Sequence, residues 1–128
     1  MPEKKGECGM EKEHLPHQHD VNAEKLFDHM PAPAAFSGAA ELFRMMSDGT
    51  RIRLFWLLCH CEECLLDLSA MMEMSSPALS HHLKMLKAAG LITARREGKE
   101  VYYRAADNPR ADALHRMIED AAEIACPE

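Results

Sequence analysis

Apolar residues recur along most of this chain at the three- and four-residue spacing of helices, with one alternating stretch near residue 100. Between residues 34 and 46, Phe36, Ala39, Ala40, Leu42, Phe43 and Met46 form a helical stripe that Ser47-Asp48-Gly49 closes. Thr50 is placed to cap the next helix, which runs through Ile52, Leu54, Phe55, Leu57 and Leu58. Residues 65–72 read as a further helix with Leu65, Leu68, Met71 and Met72 facing inward. Ser75 and Ser76 are N-cap candidates for the following helix, where Pro77 falls in the tolerant first turn. Leu79, Leu83 and Leu86 lie at i, i+4 and i+7 of that helix, flanked by Ala78 and His82, and Gly90 stops it. Its opposite face carries Ser76, Ser80, His81, Lys84 and Lys87. Residues 91–96 and 100–104 then flank Glu97-Gly98-Lys99, a hairpin signature. The last helix, about residues 110–125, lines up Leu114, Met117, Ile118, Ala121, Ile124 and Ala125, and a partner subunit is expected to cover that oily stripe.

The predicted class is mainly α with a small β-hairpin: a winged helix-turn-helix, in which two short helices and a tight turn precede a basic hairpin. Residues 1–20 are polar and rich in Glu, Lys and His, and are expected to form a flexible arm bearing Cys and His. Residues 21–128 are expected to form one DNA-binding and dimerisation domain, beginning with a short helix over 21–30 that Pro31 and Pro33 break. A chain of 128 residues buries enough surface to fold without staples. The longest apolar run, residues 54–59, is far too short to cross a bilayer, and the charged N-terminus lacks a signal peptide's apolar stretch. The expectation is a soluble, cytoplasmic protein without membrane contact.

Charge sharpens the picture through its distribution. The formal net charge is −6, but residues 75–104 carry six basic and two acidic side chains while every flanking region is acidic. The surplus coincides with the outer face of the 76–88 region and with Arg95, Arg96, Lys99 and Arg104 of the hairpin. A helix fits the major groove, where Ser76, Ser80, His81, Lys84 and Lys87 reach base edges and phosphates. Arg95, Arg96 and Lys99 of the wing meet the flanking backbone, giving affinity and register more than sequence information.

Leu42-Phe43-Arg44, Ser47-Asp48-Gly49-Thr50-Arg51-Ile52-Arg53-Leu54, Leu68-Ser69-Ala70, Ser80-His81-His82-Leu83-Lys84-Met85-Leu86, Ala89-Gly90-Leu91-Ile92 and the wing from Arg95 to Arg104 together resemble the ArsR/SmtB family of metal-responsive repressors. The resemblance covers about residues 39–107. It implies a homodimer, joined through N- and C-terminal helices, that binds double-stranded operator DNA and loses affinity when an inducer binds. Glu73 departs from the family, whose turn often has Gly there. A side chain at positive φ costs about 1 kcal/mol, so the turn is expected to be built differently.

Five cysteines without an export signal argue against a disulfide framework. Cys59, Cys61 and Cys64 lie within six residues at C-x-C-x-x-C spacing, and thiolates prefer Zn, Cd, Pb, Cu(I) or arsenite to hard cations. Their convergence requires the preceding helix to end near His60, which places Cys64 at the next helix N-terminus. By resemblance, Cys64 matches a family ligand position, whereas the family's second thiol position is Leu66 here. In cadmium- and lead-sensing relatives an arm cysteine completes the thiol site across the dimer, a part that the resemblance implies for Cys8, with His14, His17 and His19 as further candidate arm donors. A last-helix site of zinc-sensing relatives needs Asp-x-His and His-x-x-Glu; the matching stretches, Asp107-Asn108-Pro109 and Asp120-Ala121-Ala122-Glu123, lack both histidines.

The function these features predict is a repressor that releases its operator on binding Cd, Pb, Zn or arsenite through Cys59, Cys61, Cys64 and Cys8. One alternative keeps the fold and switches it by thiol oxidation; another is a thiol-dependent enzyme or metal-storage protein that never touches DNA. An enzyme is not expected, because Cys61-x-x-Cys64 lacks a surrounding βαβ pattern and adjacent glutamates raise thiol pKa values.

Overall fold

The computed structural model describes residues 15–17 and 19–127, so Cys8 and His14 lie outside the described residues. The chain divides into two compact units, residues 1–39 and 40–128. The first contains α1 (Val21–Asp28), capped by the Asp20 carboxylate accepting from Asn22 N–H, and the start of α2 (Pro33–Met45).

In the second unit, α3 (Gly49–Leu58) leads through β1 (Glu63–Cys64) into α4 (Leu65–Met72) and α5 (Ser76–Ala88). The strands β2 (Ile92–Glu97) and β3 (Glu100–Ala105) form the wing, and α6 (Pro109–Ala122) closes the unit. The predicted class therefore holds, with one addition: β1 pairs antiparallel with β3, Glu63 opposite Tyr103 and Cys64 opposite Tyr102, giving a three-stranded sheet in the order β1-β3-β2. Two residues carry no readable alternation, so only the neighbouring strand reveals them. Gly98 takes the left-handed φ of 65° that a two-residue hairpin loop demands.

The core is a single cluster in which Leu54, Phe55 and Leu58 of α3 meet Leu68 and Met72 of α4, Leu79, Leu83 and Leu86 of α5, and Leu114 and Ile118 of α6. Burying each large side chain contributes about 1.5–3 kcal/mol, and this orients all four helices at once. Met71, expected inside, is 43% exposed: Leu68 and Met72, one turn apart, occupy the narrow inward stripe of so short a helix. The expected cap of α3 also shifts. Asp48, not Thr50, precedes the helix, and its carboxylate accepts from Thr50 N–H at 2.8 Å and Arg51 N–H at 3.2 Å. Those bonds, chiefly the one from Arg51, hold the Asp48 carboxyl below its ordinary pKa.

Arg51 is the buried cation of the described residues. Its Nε donates to Met45 O at 2.8 Å, and its Nη1 faces His82 Nδ1 at 3.1 Å and Met85 Sδ at 3.4 Å. A guanidinium has no acceptor, so His82 Nδ1 accepts and the ring carries its proton on Nε2. One side chain thus fastens the start of α3 to the end of α2 and the middle of α5.

The turn between α4 and α5 is built with Glu73 in the left-handed region, φ 55° and ψ 48°, which corrects the expectation that a non-glycine would avoid it. The Met74 N–H bond to Ser69 O at 3.0 Å closes the α4 terminus and holds the strained residue in place. Glu73→Gly is expected to raise stability by about 1 kcal/mol, a thermal-unfolding shift of several degrees. An unchanged or lower midpoint in circular dichroism would refute that account of the turn.

Candidate nucleic-acid interface and metal-ligand cluster

Because Leu79, Leu83 and Leu86 are buried, α5 must turn Ser80, His81, Lys84 and Lys87 outward, and all four are exposed. The Ser75 hydroxyl caps the helix, accepting from Ala78 N–H at 3.3 Å. Ser76 is half-buried, with its Oγ 3.1 Å from Ser69 Oγ, so it braces α5 against α4 as well as sitting at the helix start. Lys84, Lys87, Arg96 and Lys99 have no carboxylate partner among the described residues, so their charge faces solvent.

Arg95 differs. Its Nε and Nη2 donate to Glu62 at 2.8 and 3.1 Å, its Nη1 donates to Glu97 at 2.5 Å, and its guanidinium stacks 5.0 Å from the Tyr102 ring. The pairing lowers the Glu62 pKa and raises that of Arg95. The wing's first arginine is therefore neutralised by Glu62 of the segment that carries the thiols together with Glu97 of the wing itself.

The three clustered thiols occupy different environments. Cys59 is the half-buried C-cap of α3, and burial, helped by Glu119 and Asp112, pushes its pKa up to about 12. Cys61 Sγ donates to Leu57 O at 3.4 Å, and burial followed by Glu63 raises its pKa. Cys64 is buried in β1 and is the N-cap residue of α4, as the spacing predicted. Among the described residues these thiols do not form a set whose ligand atoms all lie within 4.8 Å; Cys64 belongs to one with Glu63 and Asp67. His17 and His19 of the arm stack at 5.5 Å.

A second set of donors was not legible as a site in the sequence: His60, His115, Glu119 and Cys126, whose ligand atoms all lie within 4.8 Å of one another. His115 Nε2 is 3.2 Å from His60 Nε2, 2.9 Å from Glu119 Oε2 and 3.6 Å from Cys126 Sγ. The Cys126 thiol donates to Glu119 at 2.9 and 3.1 Å, and Trp56 Nε1–H donates to Glu119 Oε2 at 3.0 Å. The Cys126, Trp56 and His115 bonds hold the Glu119 carboxyl at about 2. The only local signal is His115 and Glu119 one helical turn apart; the other two donors come from a loop and the tail.

Residues 48–94 match the sequence profile of bacterial regulatory proteins of the arsR family. The HTH-type transcriptional repressor SmtB of Mycobacterium tuberculosis is 34% identical over 112 residues, 85% of this chain and 83% of that protein. A transcriptional repressor SmtB homologue of Synechocystis is 41% identical over 81 residues, 63% of this chain and 61% of that one. A cadmium resistance transcriptional regulatory protein, a CadC homologue of Staphylococcus aureus, is 33% identical over 67% of this chain and 72% of its own. Among solved structures, HlyU from Vibrio cholerae has a TM-score of 0.65 and 26% identity, covering 70% of this chain and 97% of that chain. A homodimeric winged helix-turn-helix DNA-binding domain from Mycobacterium bovis has a TM-score of 0.63 and 28% identity, covering 70% and 82%. These proteins are regulators, not enzymes.

Proposed function

Since the chain belongs to the ArsR/SmtB family of winged-helix transcriptional regulators, we propose that it is a cytoplasmic, homodimeric repressor that grips a palindromic operator and releases it on coordinating a thiophilic ion. The observation that carries this reading is a row of cations without a carboxylate partner among the described residues, Lys84 and Lys87 on α5 with Arg96 and Lys99 on the wing, in a chain that is acidic elsewhere. A dimer presents the row twice, and two half-sites one DNA turn apart make binding sensitive to small changes in the spacing of the two α5 helices. No helix among the described residues is long and apolar enough to cross a membrane.

Support for the dimer comes from an apolar groove of about 320 Å³ lined by Phe43, Met46, Ile52, Leu114, Met117 and Ile118. Phe43 and Met117 are about half exposed, at 54% and 48%, which a second copy would cover.

For the effector, Cys59, Cys61 and Cys64 remain the proposed ligands, with Cys8 as the proposed fourth. Burial raises the pKa values of Cys59 and Cys61, which disfavours the thiolates that oxidation needs; a bound soft cation displaces the protons instead. Drawing the thiols together moves the α3–α4 junction, and two connections lead from there to the wing: the β1–β3 pairing and the Glu62–Arg95 ion pair. A coupling of about 1–3 kcal/mol is enough for a working switch.

Three outcomes test the reading. Lys84→Ala and Arg96→Ala should each weaken duplex binding and reduce the slope of log affinity against log salt by about one, read by fluorescence anisotropy. Unchanged slopes in both variants would remove the DNA-binding assignment. Glu62→Gln leaves Arg95 paired with Glu97 alone and releases its Nε and Nη2 donors toward a phosphate, so it should strengthen binding at low salt; weaker binding would mean that the pair only shapes the wing. In a titration with Cd, Pb, Zn or arsenite that follows thiolate-to-metal absorbance and operator release together, Cys64→Ser should blunt both, and a wild-type response there would eliminate the thiol site.

A further inference from the structure

We propose that His60, His115, Glu119 and Cys126 form a binding site for a divalent first-row transition ion of Zn²⁺ character, held within one subunit and separate from the clustered thiols. The four donors come from three places. His60 follows α3, His115 and Glu119 share a face of α6, and Cys126 lies on the tail. The tail is turned back by Glu123, a non-glycine residue at φ 57°, and by the Ile124 N–H bond to Glu119 O at 3.0 Å. A residue held in that sparsely populated conformation signals that the tail's return is built in.

Geometry suits the ion. Bonds of about 2.0–2.3 Å in a tetrahedron put neighbouring donors roughly 3.3–3.8 Å apart. The distances here are 3.2 Å between the two ring nitrogens, 3.4 Å from His60 Nε2 to Glu119 Oε2 and 3.6 Å from His115 Nε2 to Cys126 Sγ. The two pairs at 2.9 Å, His115–Glu119 and Cys126–Glu119, are drawn closer by a shared proton. Two imidazole nitrogens facing each other, with a carboxylate and a sulfur beside them, offer more lone pairs than the few protons present can satisfy. A cation answers all four. On binding, the Cys126 proton passes to solvent and the thiolate, both imidazoles and the carboxylate become ligands.

The surroundings are those of a built site. Trp56 Nε1–H donates to Glu119 Oε2 at 3.0 Å and so fixes the orientation of the carboxylate from outside the group of donors. The His60 ring packs 4.6 Å from the Trp56 ring and edge-on to His115 at 4.8 Å. The His60, His115 and Glu119 side chains are only 15–23% exposed. A cavity of about 180 Å³ lined by Cys59, Asp112 and His115 gives an approach. Mixed nitrogen, oxygen and single-sulfur donors favour Zn²⁺ or Co²⁺ over the ions that an all-thiolate site selects.

The test uses the purified full chain without DNA, so it is independent of the operator reading. Co²⁺ alone is titrated in while visible absorption reports four-coordinate geometry and one thiolate ligand; the single Trp, Trp56, reports binding by fluorescence. The expected result is one ion with these signatures. Made in a chain whose Cys8, Cys59, Cys61 and Cys64 are replaced by Ser, His115→Gln and Cys126→Ser should each weaken binding roughly 100-fold, Cys126→Ser also abolishing the sulfur-to-cobalt band, with helical circular dichroism unchanged. A chain with Ser at Cys8, Cys59, Cys61 and Cys64 should keep that band. Wild-type spectra and affinity in both variants would overturn the proposal, as would a sulfur band that vanishes in the folded four-serine chain.

Discussion

Burial of α3 is the constraint from which the rest of the second unit follows. Ten residues long, it places Leu54, Phe55 and Leu58 in the core against α4, α5 and α6 and touches β3. Its start carries Arg51, whose donors reach the end of α2 and His82 and Met85 of α5. Its end carries Trp56, Cys59 and His60, all directed toward α6 or its flank. A close-packed helix cannot shift at one end without being felt at the other. In the proposed switch, a ligand drawn to the α3 terminus would act through the helix that positions α5.

That packing also explains how an acidic chain presents a basic surface. The leucines of α5 must face α3 and α4, which leaves Lys84 and Lys87 outside, and the hairpin carries Arg96 and Lys99 away from the core. Arg95 is drawn back instead, because β1 joins the sheet on the far side of β3 and brings Glu62 within reach. The sheet thereby links the thiol-bearing segment to the wing through both backbone pairing and charge.

Two groups of donors flank the end of α3, and they differ in chemistry. The clustered thiols are soft and separated, and burial raises the pKa values of Cys59 and Cys61, so an ion that gathered all three would have to move backbone. The His60, His115, Glu119 and Cys126 group is already assembled, with hydrogen bonds standing where bonds to a cation would be. Moving backbone suits a signal; prior assembly suits affinity with little rearrangement.

Helical periodicity, the Ser75 cap, Pro77, Gly90 and the Glu97-Gly98-Lys99 turn were enough to place α2 to α6 and the wing to within a few residues, because each is a local constraint written in adjacent positions. The outward face of α5 followed from the same periodicity, since burying one side of a helix exposes the other. Other features were decided by tertiary packing. Glu73 accepts a left-handed backbone because hydrogen bonds at the end of α4 hold it there. β1 exists only against β3, Arg95 gains Glu62 as a second carboxylate partner only because β1 brings it near, and His60 meets His115 across 55 residues of chain. Such contacts depend on where elements end and how they turn in space, and no spacing along the chain encodes a distance between residues on different elements.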